Sequence, residues 1–245
     1  MKETIKNLLK FSVYGAYSDG RTKKKTREKL NSQKTIISNY ISNHKVKKLQ
    51  IGCGANIYEG WLNTDLQSKE SIAFLDAGNI FPMESETFDY IYSEHLFEHL
   101  TADQQINMLS EGARILKKGG IMRIATPSLD FLFNLYENPQ TDMHSEYTEW
   151  TVNHSPYLQS VKEKVENKES HYCYVINNFF KAWGHQMIHN FKSLERLALQ
   201  YGYKNVSSCK VGESTDEHLK NVERHGTVIP SKMNLLETMV VELIK

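Results

Sequence analysis

Two rhythms of apolar positions divide the chain. At the N-terminus Ile5, Leu8, Leu9 and Val13 recur at roughly helical spacing, and LNSQKTIISNYISNH repeats the pattern with Leu30, Ile36, Ile37, Tyr40 and Ile41. This predicts two short helices flanking a basic loop. From residue 46 the period changes: short apolar-rich runs at 46–52, 61–66, 72–76 and 88–93 read as four strands. In DQQINMLSEGARILKKGG, residues Ile106, Leu109, Ala113 and Leu116 share a helical face, and Gly119-Gly120 marks the expected helix end. A fifth strand, 121–127, stops at Pro127. A helix over 193–203 is closed by Gly202, and runs at 205–211 and 238–244 complete seven strands.

Strands alternating with helical segments predict an α/β fold with a mainly parallel sheet covered on both faces. Residues 137–190 break the scheme, carrying aromatics and histidines but no strand rhythm, as in HYCYVINNFFKAWGHQMIH. They are expected to form an inserted lid over the ligand end of the sheet, excluding water when closed. The whole reads as one domain: an N-terminal extension (1–45), a core (46–136), the lid (137–190), and a closing helix with the last two strands (191–245).

The chain has 245 residues and a formal net charge of +1, with 40% hydrophobic residues. That is ordinary for a soluble globule, and with no long apolar run the expected location is cytoplasmic. Three widely spaced cysteines, Cys53, Cys173 and Cys209, suggest neither a disulfide framework nor a metal clip. Charge is unevenly placed: residues 1–50 hold 13 Lys and Arg against 3 acids, the remainder 17 against 26. Such an arm fits a phosphate-bearing or membrane-surface partner, or a solvated helix with scattered lysines. Only RTKKKTR (21–27) is dense.

LQIGCGANIYEGWLNTDL carries the most chemistry. A strand runs into Gly52-Cys53-Gly54, where missing side chains let the backbone turn tightly against a ligand, and the next strand ends at Asp65. A carboxylate there can accept both hydroxyl protons of a ribose. Only 11 residues separate Gly54 from Asp65, whereas a dinucleotide motif places its acid about 20 residues on. A nucleoside without a diphosphate is therefore expected, and not NAD. Asp76, ending the third strand, would meet an adenine edge.

With LQIGCG, NTDL, LDAGNIFPMESETFDYIYSEHLFEHL and ARILKKGGIMRIATPSLDFL in this order over 46–132, the sequence resembles the class I S-adenosylmethionine-dependent methyltransferases. GHQMIHNFKSLERLALQYGYKNV and GESTDEHLKNVERHG look like a subgroup associated with glycan and polysaccharide biosynthesis. The resemblance implies a Rossmann-like doubly wound fold with helices on both faces and S-adenosylmethionine as cofactor. It also implies a cofactor turn at Gly52, Cys53 and Gly54 and a ribose site at Asp65, with Leu66 among the cofactor-binding residues. Asp76 and Ala77 would border the adenine, and Ser93, Glu94 and His95 the methionine moiety. Asn56 stands where relatives have a third glycine, and Lys118 where they have proline.

SEHLFEHL also spells H-x-x-E-H through His95, Glu98 and His99, the spacing by which one class of zinc peptidase presents metal ligands from a helix. The strand context and the resemblance, which implies a similar motif without metal, favour no metal. Glu98 and His99 are instead expected as a bonded pair anchoring the next helix. In-line methyl transfer needs an aligned nucleophile and excluded water. A hydroxyl acceptor also benefits from a base, and histidine suits that role near neutral pH. His95 is the first candidate for base or acceptor-orienting group, His185 and His189 follow, and His154 is a further one. Tyr147, Trp150, Tyr157, Tyr172, Tyr174 and Trp183 could stack on sugar rings or bases, or pack the lid.

The expected function is thus methyl transfer to a small-molecule or glycan acceptor, at a hydroxyl oxygen. The competing readings are an RNA or nucleic-acid methyltransferase or RNA-binding module using the basic N-terminus, a scaffold that has lost its chemistry, and the zinc peptidase.

Overall fold

The computed structural model describes residues 33–69 and 71–245. The first expected helix, the basic cluster at 21–27 and Leu30 lie outside the described residues. The second helix is present as α1 (33–43), which buries Ile37 and Tyr40. Seven strands follow: β1 (Lys48–Ile51), β2 (Leu62–Asp65), β3 (Ala73–Phe74), β4 (Phe88–Glu94), β5 (Leu116–Pro127), β6 (Asn205–Cys209) and β7 (Thr238–Ile244). They form one sheet in the order β3-β2-β1-β4-β5-β7-β6. β7 runs antiparallel to both neighbours and the other pairings are parallel. The sheet is Rossmann-like and doubly wound, as expected. The chain steps outward from β1 to β3, then returns to lay β4 on the other side of β1. The order therefore reverses between β1 and β4, and ligands bind outside the carboxyl ends of strands at such a point.

β4 shows how the two sides are filled. Ile91 packs with Met108, Leu109 and Ala113 of α2 (Ala102–Ile115), Leu194 and Ala198 of α7 (Phe191–Gln200), and Ile37 of α1. Its neighbours Tyr90 and Tyr92 point the other way, as a period of two requires. There they meet Trp61, Leu219 and Val222, so the irregular segment 210–228 covers this part of the second face. Residues 129–188 build a separate apolar cluster from α3 (Leu129–Glu137), α4 (Asp142–His154), α5 (Gln159–Lys164) and α6 (His171–Lys181). Met233 of α8 (Ser231–Glu237) joins it.

The boundary before β5 differs from the sequence pattern. α2 ends at Ile115, and Leu116 already pairs with Phe88, so the di-glycine lies inside β5. Gly119 takes a φ of 76° and donates to the Lys245 carbonyl. A Cβ on Gly120 would lie 2.9 Å from the Lys117 carbonyl oxygen and 3.0 Å from that of Asp89. Close backbone approach, and not helix termination, requires the glycine here.

Segment 210–228 is held by a buried charge cluster. Arg123 of β5, fully buried, donates to Glu223 and Glu242 at 2.6 Å each, while Glu223 accepts the Gly212 N–H at 2.8 Å. Removing one partner of such a group strands uncompensated charge, whereas removing all the charges together is often neutral. Arg123→Met is expected to lower the unfolding free energy by about 3–5 kcal/mol in urea titrations. Adding Glu223→Gln and Glu242→Gln should restore most of the loss. A triple variant no more stable than the single one would show that packing, not charge, is at stake.

Candidate active site

At the switch point β1 ends in a bare bend. Gly52 and Gly54 adopt φ values of 71° and 53°, in the left-handed region. The N–H groups of Gly52 and Cys53 both donate to the Thr64 carbonyl at 2.9 Å. A Cβ on Gly52 would sit 2.8 Å from Leu96, so the turn rests directly on the residue after His95. A Cβ on Gly54 would meet nothing within 4 Å, so the backbone there faces open space as a nucleoside-binding turn must. No helix intervenes between β1 and β2. Cys53 is buried, and burial pushes its thiol up to about 11, with the Asp65 charge adding to the effect. It is therefore a neutral packing group. All three cysteines are free.

Asp65, the last residue of β2, accepts the Gly54 N–H at 3.0 Å and the Gln67 N–H at 2.8 Å, which ties the acid to the turn. Leu66 beside it is 54% exposed. Asp76 accepts from the Gly78 N–H and from Asn79 Nδ2, and the buried Ala77 presents its carbonyl to Asn107. Ser93 is fully buried. Glu94 turns its carboxylate to the backbone N–H groups of Arg224 and His225 at 2.8–3.0 Å, so its side chain clamps segment 210–228.

His95 follows with φ 46°, its N–H bonded to the Ala125 carbonyl of β5 at 2.9 Å. Its Nδ1 lies 3.1 Å from Glu98 Oε1. Glu98, fully buried, also accepts from Thr126 Oγ1 at 3.1 Å. Burial disfavours charge on both side chains, but their mutual bond outweighs it: His95 titrates above its ordinary range and Glu98 below. The expected Glu98–His99 pair is not formed, since His99 Nε2 stands 3.9 Å away. Thr101 and Gln104 cap the following helix instead. Phe97–His99 is a single 3-10 turn with His95 outside it, so the helical face a zinc peptidase needs is absent.

A cavity of about 750 Å³ opens over this cluster. His95, His99, His154, His185 and His225 line it together with Tyr147, Trp150, Tyr157, Trp183 and Glu237. His185 Nδ1 faces the Phe179 carbonyl at 2.7 Å and so carries the proton, leaving Nε2 its lone pair. Burial pulls its pKa below the ordinary value against the opposing Phe179 carbonyl, so the ring is neutral at pH 7. His189 does not line the cavity: both ring nitrogens are engaged, with Ser193 Oγ and Gln105 Oε1 at 2.9 Å each. His154 bonds the Trp150 carbonyl and stacks on that ring. Tyr172 and Tyr174 lie outside the cavity lining.

The sequence pattern did not single out His225 and Glu237. His225 lies against His95, tilted by 36° with 3.8 Å between ring centroids, and its Nε2 lies 3.2 Å from Glu237 Oε1. The buried Tyr147 donates its hydroxyl to Glu237 Oε2. Burial and the Glu237 charge hold that phenol far above its ordinary pKa, so it stays a donor. The stretch VERHG was in view, but nothing local shows that a residue 130 positions after His95 folds onto it.

Residues 63–124, from β2 through most of β5, match a protein-family model described as a methyltransferase domain. No curated protein matches the chain in sequence. A SAM-dependent methyltransferase from Archaeoglobus fulgidus is 14% identical over 89% of this chain and 94% of its own, with a TM-score of 0.45. A phosphoethanolamine N-methyltransferase from Haemonchus contortus, solved with phosphomonomethylethanolamine and S-adenosylhomocysteine, is 15% identical over 88% of this chain and 52% of its own, with a TM-score of 0.42. These likenesses assign no substrate. The chain is an enzyme, an S-adenosylmethionine-dependent methyltransferase, and the methyltransferase-domain match lies on the strands beside the glycine turn.

Asp65→Ala is expected to weaken S-adenosylmethionine binding by about 10–100-fold or more, the loss of a charged hydrogen-bond acceptor. Calorimetry on protein with unchanged circular dichroism reads this. Wild-type affinity in the variant would remove Asp65 from the cofactor site.

Proposed function

We propose that the enzyme methylates a hydroxyl oxygen of an uncharged small-molecule or glycan acceptor held in the cavity under residues 142–183. The carrying observation is the cavity lining. Flat aromatic faces alternate with histidines and carboxylates, and no Lys or Arg is among the lining residues. Aromatic faces beside polar acceptors suit a sugar ring. A wall without Lys or Arg lacks the side chains that track a phosphate backbone, which speaks against the nucleic-acid reading. The glycan-associated resemblance of the C-terminal third points the same way.

In this reading Gly52, Cys53, Gly54 and Asp65 hold the nucleoside, with Leu66, Asp76 and Ala77 around the base. Ser93, Glu94 and His95 close the site toward the methionine end, Glu94 by fixing the loop that carries His225. When bound, S-adenosylmethionine supplies a methyl on a sulfonium, so that an oxygen–carbon bond forms as the carbon–sulfur bond breaks and sulfur keeps the electron pair. His95, locked by Glu98, orients the acceptor. His185 Nε2 takes the hydroxyl proton. The helices over 142–183 act as the lid that excludes water. His189 supports the lid's hinge and has no chemical part, and the chain is placed in the cytoplasm.

His185→Asn is expected to lower kcat by about 10²–10⁴-fold with cofactor binding intact, the loss of a general base. Release of S-adenosylhomocysteine with a panel of sugar acceptors measures it. Product carrying methyl on nitrogen or carbon, or methylation of RNA alone, would overturn the proposal.

A further inference from the structure

We propose that His95, His225 and Glu237 form a binding site for one divalent transition-metal ion, with its open positions facing the acceptor cavity. Two imidazoles and one carboxylate are a common catalytic donor set for zinc and its neighbours, and one that magnesium, which demands oxygen, does not favour. One donor atom from each residue lies within 4.8 Å of the other two. His225 Nε2 and Glu237 Oε1 are 3.2 Å apart. Bonds of about 2.0–2.1 Å at near-tetrahedral angles place neighbouring donors about 3.3 Å apart.

The groups behind these donors carry the inference further. Metal-bound histidines hand their second nitrogen to a carboxylate, which fixes tautomer and ring plane. His95 gives Nδ1 to the fully buried Glu98. That leaves Nε2, a buried atom with no hydrogen-bond partner in the structure and so an unsatisfied polar group in either protonation state. Glu237 is backed in the same way, with Tyr147 on Oε2 while Oε1 stays toward His225. The Glu94 clamp on the His225 backbone sets the third donor. A neighbouring group, Glu98, His99 and His185, is equally close-knit. Its carboxylate, however, is already committed to His95 and Thr126.

The existence of the ion is independent of the acceptor. Its use rests on the hydroxyl-methylation reading above: an acceptor hydroxyl bound to the ion becomes more acidic, and His185 then needs to remove a less tightly held proton.

The test uses the full-length protein, stripped with chelator and titrated with Co²⁺ and Zn²⁺. One equivalent of Co²⁺ with visible d–d bands is expected, lost in His225→Ala and Glu237→Gln and kept in His185→Ala. Tyr147→Phe should weaken Zn²⁺ by about 10–100-fold, as loss of an outer partner does. Should the ligand variants unfold, the Co²⁺-loaded wild type still reports: hyperfine-shifted ring N–H signals from two histidines are expected, and any other number overturns the assignment. No uptake by stripped protein that binds S-adenosylmethionine overturns it too. So does uptake that survives His225→Ala and vanishes in His185→Ala, which puts the ion on the neighbouring group. Full methylation of a hydroxyl by metal-free protein removes the catalytic use alone. Failure to methylate any hydroxyl despite ion binding counts against the proposed function and not the site.

Discussion

A carboxylate withdrawn completely from water is tolerated only where the fold supplies its partners, because an uncompensated buried charge costs several kcal/mol. Glu98 is that group here, and the ends of two strands meet to satisfy it. His95 comes from the end of β4 and Thr126 from the end of β5. Its own carbonyl takes the N–H groups of Gln186 and Met187 from the end of the helical insertion. Sheet edge, cavity and insertion are therefore fixed to one another through a single residue, by its carboxylate and its backbone carbonyl. His95 itself takes a left-handed backbone, with φ 46°.

The second anchor works from the opposite face of the sheet. Arg123 and its two carboxylates, together with the Glu94 clamp, hold segment 210–228 against β4 and β5. The aromatic contacts of Tyr58, Trp61 and Tyr92 fill the space between. In many sheets a helix would cover this face; here an irregular segment does so, and it needs buried ion pairs because it has few backbone partners of its own. The segment brings His225 against His95.

The two anchors divide the site's labour. The glycine turn and the acids at the ends of β2 and β3 depend only on strand register and short loops. The cavity depends on long-range polar contacts, from Glu98, Glu94 and Tyr147, that place imidazoles from three distant stretches along one wall.

The amino-acid sequence by itself determined the seven strands, since period-two apolar runs bounded by glycine and proline have few other readings. It also determined the Gly52–Gly54 bend and placed the acids Asp65 and Asp76 at the ends of neighbouring strands. β7 matched its expected span, and α2 deviated only where Gly119-Gly120 served a strand crossing instead of a helix end. Tertiary structure alone decided the rest. It gave Glu98 to His95 and not to His99, removed His189 from the cavity by occupying both nitrogens, and added His225 and Glu237. Local pattern reports which face of an element is apolar. Which polar groups share a buried carboxylate is set by elements over a hundred residues apart, and only the folded chain brings them together.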